Sequence, residues 1–283
     1  MNLQWYPGHM TKARRAMEES LKLVDVIVEI RDARLPYASA NPDLKKLGQG
    51  KKRLLVLNKA DLADPAVTAA WEAFFRAGGV EALSVDSRSK NQAERLRKQL
   101  DLWAAEKSEK DAKRGIKNRP IRVMVAGIPN VGKSTMINSL AGRASTKTGD
   151  KPGVTKGLQW IRLSRSMELM DTPGILWPKF EDETVGLHLA LMGAISQDVL
   201  PLEELAVRGI RLLEENYPGV LAEKYGLSRT EAYEMLQELA EKQGFLKKGS
   251  VPDTEAAARR LLNDWQAGRL GRISLEKPEE SEE

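Results

Sequence analysis

Two nucleotide-binding motifs occur in this chain of 283 residues in the reverse of their usual order. The tetrapeptide Asn58-Lys59-Ala60-Asp61 has the pattern of a base-reading loop. It precedes residues 127–134, which have the pattern of a phosphate-binding loop. In an ordinary domain that combines the two motifs, the phosphate-binding loop comes first. Both motifs are intact, so the sequence predicts a complete site in a domain with circularly permuted connectivity.

Residues 127–134 read Gly-Ile-Pro-Asn-Val-Gly-Lys-Ser and match the phosphate-loop pattern G-x-x-x-x-G-K-S. Gly127 and Gly132 let the backbone direct its N–H groups toward a β-phosphate at the start of a helix, where anions are favoured. Lys133 is expected to reach the β- and γ-phosphates, and Ser134 to bind Mg²⁺. Residues predicted to contact the nucleotide here are Asn130, Val131, Gly132, Lys133, Ser134 and Thr135.

The base-reading loop favours guanine. The carboxylate of Asp61 can accept hydrogen bonds from N1–H and the 2-amino group of guanine, whereas adenine would leave it unpaired, which argues against an ATP-using enzyme. Asn58 is expected to hold N7, and the stem of Lys59 to pack along the base. A second base-contacting loop is predicted to act through its backbone; its residues are Asp86, Ser87 and Arg88.

A third motif, Asp171-Thr172-Pro173-Gly174, follows an apolar stretch. Asp171 is expected to contact Mg²⁺ through water, and the N–H of Gly174 to sense the γ-phosphate. Thr155 lies between the phosphate loop and this motif. It is either a switch residue that contacts Mg²⁺ and the γ-phosphate or an ordinary turn threonine.

Apolar stretches and helical patterns alternate along residues 1–180. Strands are predicted at 24–30, 53–57, 80–85 and 121–126, with a hairpin at 158–163 and 167–170. This alternation predicts an α/β fold in which a circularly permuted P-loop domain at 1–180 has a doubly wound, mostly parallel sheet. For residues 181–275 the sequence predicts a small all-α C-terminal domain with a capping box at 228–231. The acidic end, 276–283, is expected to be disordered.

Positive charge is concentrated in the first part of the chain. Residues 196–283 contain 12 basic and 18 acidic side chains, and residues 1–195 contain 33 and 22, although the whole chain carries only +5. A predicted connector at 107–122 has seven basic and two acidic residues. This excess indicates either an RNA partner or a well-solvated surface. In the helical part, the expected phosphate contacts are Lys242, Lys247, Lys248, Arg259, Arg260, Arg269 and Arg272.

Composition excludes several other classes of protein. The chain has no cysteine and two histidines, so disulfides, thiol catalysis and a multi-histidine metal site are excluded. No apolar run approaches the roughly 20 residues of a membrane-spanning helix, so no membrane partner is expected. The N-terminal sequence has neither a signal-peptide nor a transit-peptide pattern. These features predict a cytoplasmic protein, and a monomer is the default expectation.

The motifs together resemble the circularly permuted GTPases of the ribosome biogenesis GTPase A family. The resemblance covers nearly the whole chain. It implies a GTPase that binds GTP or GDP with Mg²⁺ and acts late in maturation of the large ribosomal subunit, with a helical C-terminal domain on rRNA. One departure is Asp86, where ordinary GTPases usually carry Ser or Thr. The segments that carry the resemblance are 5–10, 32–36, 58–61, 127–134, 152–155 and 171–175.

The residue that positions the attacking water is the open question of this sequence. Ile175 follows Gly174 at the position where Ras-like enzymes carry a catalytic Gln, so slow intrinsic hydrolysis is expected. His9 could orient the water, or it could cap the first helix or touch RNA. In related GTPases the residue matching Asn130 helps to bind K⁺ in place of an arginine finger. A GTP-regulated RNA-binding scaffold, in which turnover is incidental, is the alternative function.

The segment Asp32-Ala33-Arg34 follows the first predicted strand. Its charged residues are either a pair next to a switch region or a structural salt bridge.

Overall fold

The structure, a computed structural model, describes residues 8–117, 119–142, 158–174, 176 and 182–278, with the backbone alone at 8–10, 12–14 and 45–47. Its central sheet consists of the strands β1 (Val26–Asp32), β2 (Lys52–Asn58), β3 (Ala82–Val85), β4 (Ile121–Ala126), β5 (Gln159–Arg162) and β6 (Met167–Asp171). The strand order is β3-β2-β1-β4-β6-β5. All neighbours are parallel except the edge strand β5, which is antiparallel to β6. The predicted doubly wound, mostly parallel sheet is therefore confirmed.

Helices cover the sheet and form most of the C-terminal part of the described chain. Their bounds are α1 (Gly8–Leu21), α2 (Pro42–Leu47), α3 (Pro65–Ala77), α4 (Lys90–Ala112), α5 (Lys133–Ala141), α6 (Glu183–Leu191), α7 (Leu202–Asn216), α8 (Val220–Tyr225), α9 (Ala232–Lys242) and α10 (Thr254–Gln266). None of them, within the described ranges, is long and apolar enough to cross a bilayer.

The strand order shows how the permuted chain preserves the site. The chain runs outward from β1 through β2 to β3, returns along α4, and starts again at β4 on the other side of β1. The sheet therefore changes winding direction between β1 and β4. Loops that follow parallel strands at such a switch point meet in a crevice, where α/β proteins bind ligands. The loops after β1, β2, β3, β4 and β6 all emerge at this edge.

The basic connector predicted at 107–122 is partly helical. α4 continues to Ala112, so the loop before β4 is limited to residues 113–120, of which all but residue 118 are described. Lys107 and Asp111 lie one turn apart in α4, and their Nζ and Oδ2 atoms are 2.6 Å apart. This pair supports the last turns of α4.

The capping box predicted at residues 228–231 was wrong. α9 begins at Ala232, and Glu231 itself is the N-cap, because its carboxylate accepts hydrogen bonds from two N–H groups of the first turn. The hydroxyl and the N–H of Ser228 donate to Glu238 instead, at 2.8 and 2.9 Å. Ser228 therefore fixes the loop before the helix and does not cap the helix.

From α6 onward the described chain is helical apart from a short hairpin of β7 (Leu246–Lys247) and β8 (Val251–Pro252). Buried side chains of α7, α9 and α10 belong to the same hydrophobic cluster as those of the central sheet. The C-terminal helices thus pack on the sheet domain through a continuous core. The domain boundary predicted near residue 180 falls on residues outside the described ranges and stays a prediction.

Glu276, the first residue of the end predicted to be disordered, is ordered. Glu276 is buried, and its carboxylate accepts hydrogen bonds from the N–H groups of Tyr37 and Ala38, at 2.7 and 3.1 Å. It also lies 3.0 Å from Nδ1 of His188, and its carbonyl oxygen accepts from the indole of Trp71. Glu276 is therefore an anchor of the fold and not part of a disordered tail. Residues 279–283 lie outside the described ranges.

Candidate nucleotide-binding site

The phosphate loop joins β4 to α5 at the point where the sheet reverses direction. α5 begins at Lys133, directly after Gly132, whose φ is 93°. A Cβ atom on Gly132 would lie 2.3 Å from Nδ2 of Asn58, and one on Gly127 would lie 2.4 Å from the carbonyl oxygen of Ile30. Only glycine fits at these positions, so the loop packs closely against both β1 and the base-reading motif.

Lys133 is buried within the phosphate loop, and its Nζ donates to the carbonyl oxygen of Ile128 at 2.8 Å. Burial lowers the pKa of Lys133 to about 8, and the charge of the nearby Asp171 carboxylate opposes the shift. Because an ammonium group is costly to bury without a close anionic partner, this side chain is suited to binding phosphate.

Ser134 and Asp171 offer oxygen ligands beside the phosphate loop. Oγ of Ser134 lies 3.4 Å from Oδ2 of Asp171, which is buried at the end of β6. A hydroxyl and a carboxylate next to bound phosphates are the donor set that Mg²⁺ uses in P-loop proteins, where the ion neutralises phosphate charge. The residues therefore fit Mg²⁺. Among the described residues, no cluster of three or more His, Cys, Asp or Glu side chains could hold a metal.

Gly174 lies against the phosphate loop. A Cβ atom on Gly174 would be 2.7 Å from the backbone nitrogen of Pro129 and 2.9 Å from Nζ of Lys133. The preceding Thr172 is buried, and its hydroxyl donates to the carbonyl oxygen of Val125 in β4 at 2.8 Å. The third motif is thus held beside the place where the sequence predicts the γ-phosphate.

Asn58, the last residue of β2, joins three loops. Its Nδ2 donates to the carbonyl oxygen of Val131 at 2.7 Å, and its Oδ1 accepts from the N–H of Ser87 at 3.0 Å. The side chain is fully buried. Because an amide nitrogen carries two hydrogens, a second donor remains for N7 of guanine. That contact stays a prediction.

Lys59 has a backbone φ of 60°, which is uncommon for a residue with a side chain. Its Nζ lies 3.0 Å from Oδ2 of Asp32. Asp32 also accepts two hydrogen bonds from the guanidinium of Arg34, at 2.9 and 2.7 Å. Burial would raise the pKa of Asp32, but the charges of Arg34 and Lys59 hold that pKa well below its ordinary value.

The Asp32–Arg34 pair is a buried structural salt bridge, which was the second of its two predicted roles. Arg34 is 1% exposed and also donates to the carbonyl oxygen of Gln266, at the end of α10, at 3.1 Å. Through Asp32 and Lys59, this pair links the base-reading loop to the C-terminal helix.

Asp61 lies at the rim of the site, where its carboxylate contacts the guanidinium of Arg88. The Asp61 carboxylate, and to a smaller extent that of Asp86, raises the pKa of Arg88. The side chain of Arg88 is 66% exposed, so solvent screens this ion pair. A guanine base would compete with Arg88 for the same carboxylate.

The predicted second base-contacting loop lies beside Asn58. The carboxylate of Asp86 accepts from the N–H of Arg88 at 2.9 Å, and the N–H of Asp86 donates to the side chain of Gln92 at 2.5 Å. Asp86 therefore shapes its own turn, a role that a short polar residue can fill. The backbone contact of this loop with guanine stays a prediction.

Asn130 connects the phosphate loop to the C-terminal part of the chain. Its backbone φ is 61°, and its Nδ2 donates to the carbonyl oxygen of Gly193, in the turn after α6, at 2.6 Å. The predicted K⁺ contact would use the side-chain oxygen, whereas this hydrogen bond uses the nitrogen. The K⁺ contact therefore stays a prediction.

A cavity of about 760 Å³ brings the two motifs together. The predicted contact residues that line it are Asn58, Lys59, Asp61, Asp86, Ser87, Arg88, Asn130, Gly132 and Thr135. Sequence reasoning missed a further part of its wall, which is formed by Leu62, Met192, Asn263, Gln266, Ala267 and Arg269. Most of these belong to α10 or follow it directly, and no local pattern marks them because only the tertiary fold brings α10 to the motifs.

Three predicted residues are not placed in the site. Thr155 and Ile175 lie outside the described residues. His9 is described by its backbone alone, as the second residue of α1. Their roles stay predictions.

A phosphate loop, oxygen ligands for Mg²⁺ and a base-reading loop at the switch point of a permuted sheet define a circularly permuted P-loop GTPase. Residues 122–215 match the protein family described as 50S ribosome-binding GTPase. Ribosome biogenesis GTPase A of Bacillus cereus is 44% identical over 99% of this chain and 95% of its own length. The chain belongs to the ribosome biogenesis GTPase A family, whose members are GTPases of ribosome biogenesis.

Two further comparisons agree with this assignment. Ribosome biogenesis GTPase A of Thermotoga maritima is 34% identical over 98% of this chain and 95% of its own length. The crystal structure of GNP-bound YlqF from T. maritima superposes with a TM-score of 0.68 at 30% identity, covering 95% of this chain and 99% of that one. The solved structure therefore superposes with nearly the whole of this chain.

Proposed function

We propose that this GTPase assists assembly of the large ribosomal subunit and changes its affinity for ribosomal RNA with the nucleotide that it binds. The shared cavity carries this proposal, because the nucleotide motifs and α10 line the same space. Asn130 of the phosphate loop also donates to the turn after α6, so a change at the phosphates can reach the C-terminal helices. The matching family description, 50S ribosome-binding GTPase, supports the large subunit as partner.

Each site residue has a role in this proposal. Asp61 reads guanine, while Lys133 and the backbone of the phosphate loop bind the phosphates. Ser134 binds Mg²⁺ directly and Asp171 through water, and the N–H of Gly174 senses the γ-phosphate. Thr155 completes the Mg²⁺ and γ-phosphate contacts.

The first experiment measures GTP turnover with and without purified large ribosomal subunits, in K⁺ buffer. Strong stimulation by large subunits, and none by small subunits, is the expected result. Absence of stimulation, with tight GTP binding retained, would favour the GTP-regulated RNA-binding scaffold. Ile175 is the observation that supports this alternative, because it cannot position water as the usual Gln does.

The proposed switch predicts that ribosome affinity depends on nucleotide state. Binding of the protein to large subunits should differ between its GDP form and its form with a non-hydrolysable GTP analogue. Equal affinities in the two forms would refute the switch. The conclusion that the protein is a GTPase would still stand.

Contacts with ribosomal RNA should make binding strongly dependent on salt, since each neutralised phosphate releases counterions. The seven basic residues expected to bind RNA are largely engaged within the chain. Arg260 and Arg269 both pair with Asp264, and Arg272 donates to backbone carbonyls. A flat salt dependence would indicate a protein partner instead.

His9 is proposed to orient the attacking water. A His9→Ala variant should lose subunit-stimulated turnover and keep its nucleotide affinity. Unchanged stimulated turnover would assign His9 to helix capping or RNA contact.

K⁺ is proposed to bind near the phosphates with help from Asn130. Hydrolysis should then be faster in K⁺ than in Na⁺, and an Asn130→Ala variant should lose this difference. Equal rates of the unaltered protein in the two salts would reject the K⁺ site.

We also propose that the protein is a monomer and acts in the cytoplasm, where bacterial ribosomal subunits are assembled. Sedimentation of the purified protein across a range of concentrations tests the first point.

A further inference from the structure

Residues 268–276, which follow α10, lie along the outside of the base-reading loop. Arg272 donates through Nε to the carbonyl oxygen of Ala63 at 2.9 Å and through a terminal nitrogen to that of Ala60 at 2.8 Å. The N–H of Ile273 donates to the carbonyl oxygen of Leu62 at 3.1 Å. One carbonyl group of the loop and two of the residues directly after it are thus held by residues about 210 positions away in sequence.

Packing and further hydrogen bonds reinforce this contact. Gly268 lies so close to Leu62 that a Cβ atom there would be 2.6 Å from Cδ2 of Leu62. The hydroxyl of Ser274 accepts from the N–H of Asp64 at 3.1 Å. Asp64 is the N-cap of α3, so the segment contacts the chain from Ala60, in the base-reading loop, to the start of the helix that follows.

The loop has a conformation that needs outside support. Lys59 has the positive φ noted above, and such backbone geometry persists only where the surrounding structure enforces it. Side chains give the loop little of this support: the single methyl of Ala60 packs against the small cluster around Trp71, and Asp61 contacts the exposed Arg88. The backbone carbonyls add directional contacts, because those of Ala60, Leu62 and Ala63 accept the hydrogen bonds of Arg272 and Ile273.

We propose that residues 268–276 form a clamp that positions the base-reading loop, and that Arg272 is its principal positioning residue for guanine selectivity. α10, which leads into the clamp, also lines the nucleotide cavity through Asn263 and Gln266. The clamp would hold Asp61 at the depth where its carboxylate meets both N1–H and the 2-amino group. Coupling is reciprocal, so bound guanine nucleotide should in turn stabilise the clamp. The inference rests on the proposed reading of guanine by Asp61.

The test compares the affinities of the full-length protein for GDP and for inosine diphosphate, which lacks the 2-amino group. In Arg272→Ala the affinity for GDP should fall about tenfold and that for inosine diphosphate only about twofold, so that selectivity falls roughly fivefold. Arg272→Lys, which has one donor head in place of a fork, should lie in between. The matched control is Arg211→Ala, because Arg211 is exposed on α7 and forms an exposed ion pair with Glu231.

Each outcome decides between positioning and a merely structural role. A lower melting temperature of Arg272→Ala with unchanged selectivity would overturn the clamp, and so would equal losses of affinity for both nucleotides. Arg272→Lys provides the same comparison if the alanine variant does not fold. If the unaltered protein does not prefer GDP to inosine diphosphate, both the proposed role of Asp61 and the clamp are rejected. If it prefers GDP and both Arg272 variants retain that preference, only the clamp is rejected.

Discussion

Nδ2 of Asn58 lies 2.7 Å from the carbonyl oxygen of Val131, so a side chain of the base-reading motif holds the backbone of the phosphate loop. The two residues are 73 positions apart, and their order is the reverse of that in an ordinary GTPase. The contact is possible because β1 stands between β2 and β4 and brings the ends of those strands to one edge of the sheet. Permutation has therefore changed the connections of the chain but kept the contacts of the site.

Gly132 makes this contact possible, and Gly132→Ala should disrupt it. The new Cβ atom would collide with Nδ2 of Asn58, so we expect GDP affinity to fall at least about tenfold and stability to fall by about 1–3 kcal/mol. Gly142→Ala is the control, because Gly142 also has a positive φ but has open space around it. Calorimetry and denaturant unfolding measure the two effects. Equal losses in both variants would mean that backbone strain, and not the contact with Asn58, is responsible.

Asp61→Asn should shift base preference from guanine to xanthine. The amide can donate to the 2-oxo group of xanthine, whereas it leaves the 2-amino group of guanine without an acceptor, so GDP should bind at least about 100-fold more weakly. Competition between GDP and xanthosine diphosphate for the variant measures the shift. Asp86→Asn, which changes another carboxylate of the same cavity, should keep the guanine preference. A guanine preference retained by Asp61→Asn would show that another residue reads the base.

Nucleotide binding should take up a proton above pH 8. The pKa of Lys133 is lowered to about 8 by burial, and bound phosphates favour its charged form, so binding shifts that pKa upward. GDP affinity should therefore vary little below pH 8 and fall by up to about tenfold per pH unit above it. Titration calorimetry in buffers with different ionisation enthalpies counts the protons. No proton uptake at pH 8.5 would contradict the assignment of Lys133 to the phosphates.

Glu276→Ala should destabilise the whole protein. The change leaves the N–H groups of Tyr37 and Ala38 without their acceptor, and it removes a buried charge from beside His188. We expect a loss of about 2–4 kcal/mol in the free energy of unfolding. Glu255→Ala, at an exposed ion pair with Arg259, should cost less than about 0.5 kcal/mol. Similar small losses in both variants would show that Glu276 is not an anchor.

Local sequence patterns located most elements of the fold. β4 begins and ends at the residues that the apolar pattern predicted, 121–126. α3 has its own signals in sequence, since Asp64 caps it, Pro65 opens it and Gly78 follows it. The capping box at 228–231 failed because Ser228 donates to Glu238, ten residues further along the chain, and Glu231 caps the helix.

By itself, the sequence determined the phosphate and base-reading motifs, the permuted order and the alternation of strands and helices. Each of these features depends on neighbouring residues, whose spacing fixes local conformation and chemistry. The tertiary structure alone decided that Arg34 and Arg272 connect the base-reading loop to α10 and to the segment that follows it. It also decided that α10 lines the nucleotide cavity. From sequence, Arg272 was expected to contact RNA. Contacts between residues about 200 positions apart depend on how helices pack on the sheet, and packing follows from shape and burial over the whole chain, which no local pattern encodes.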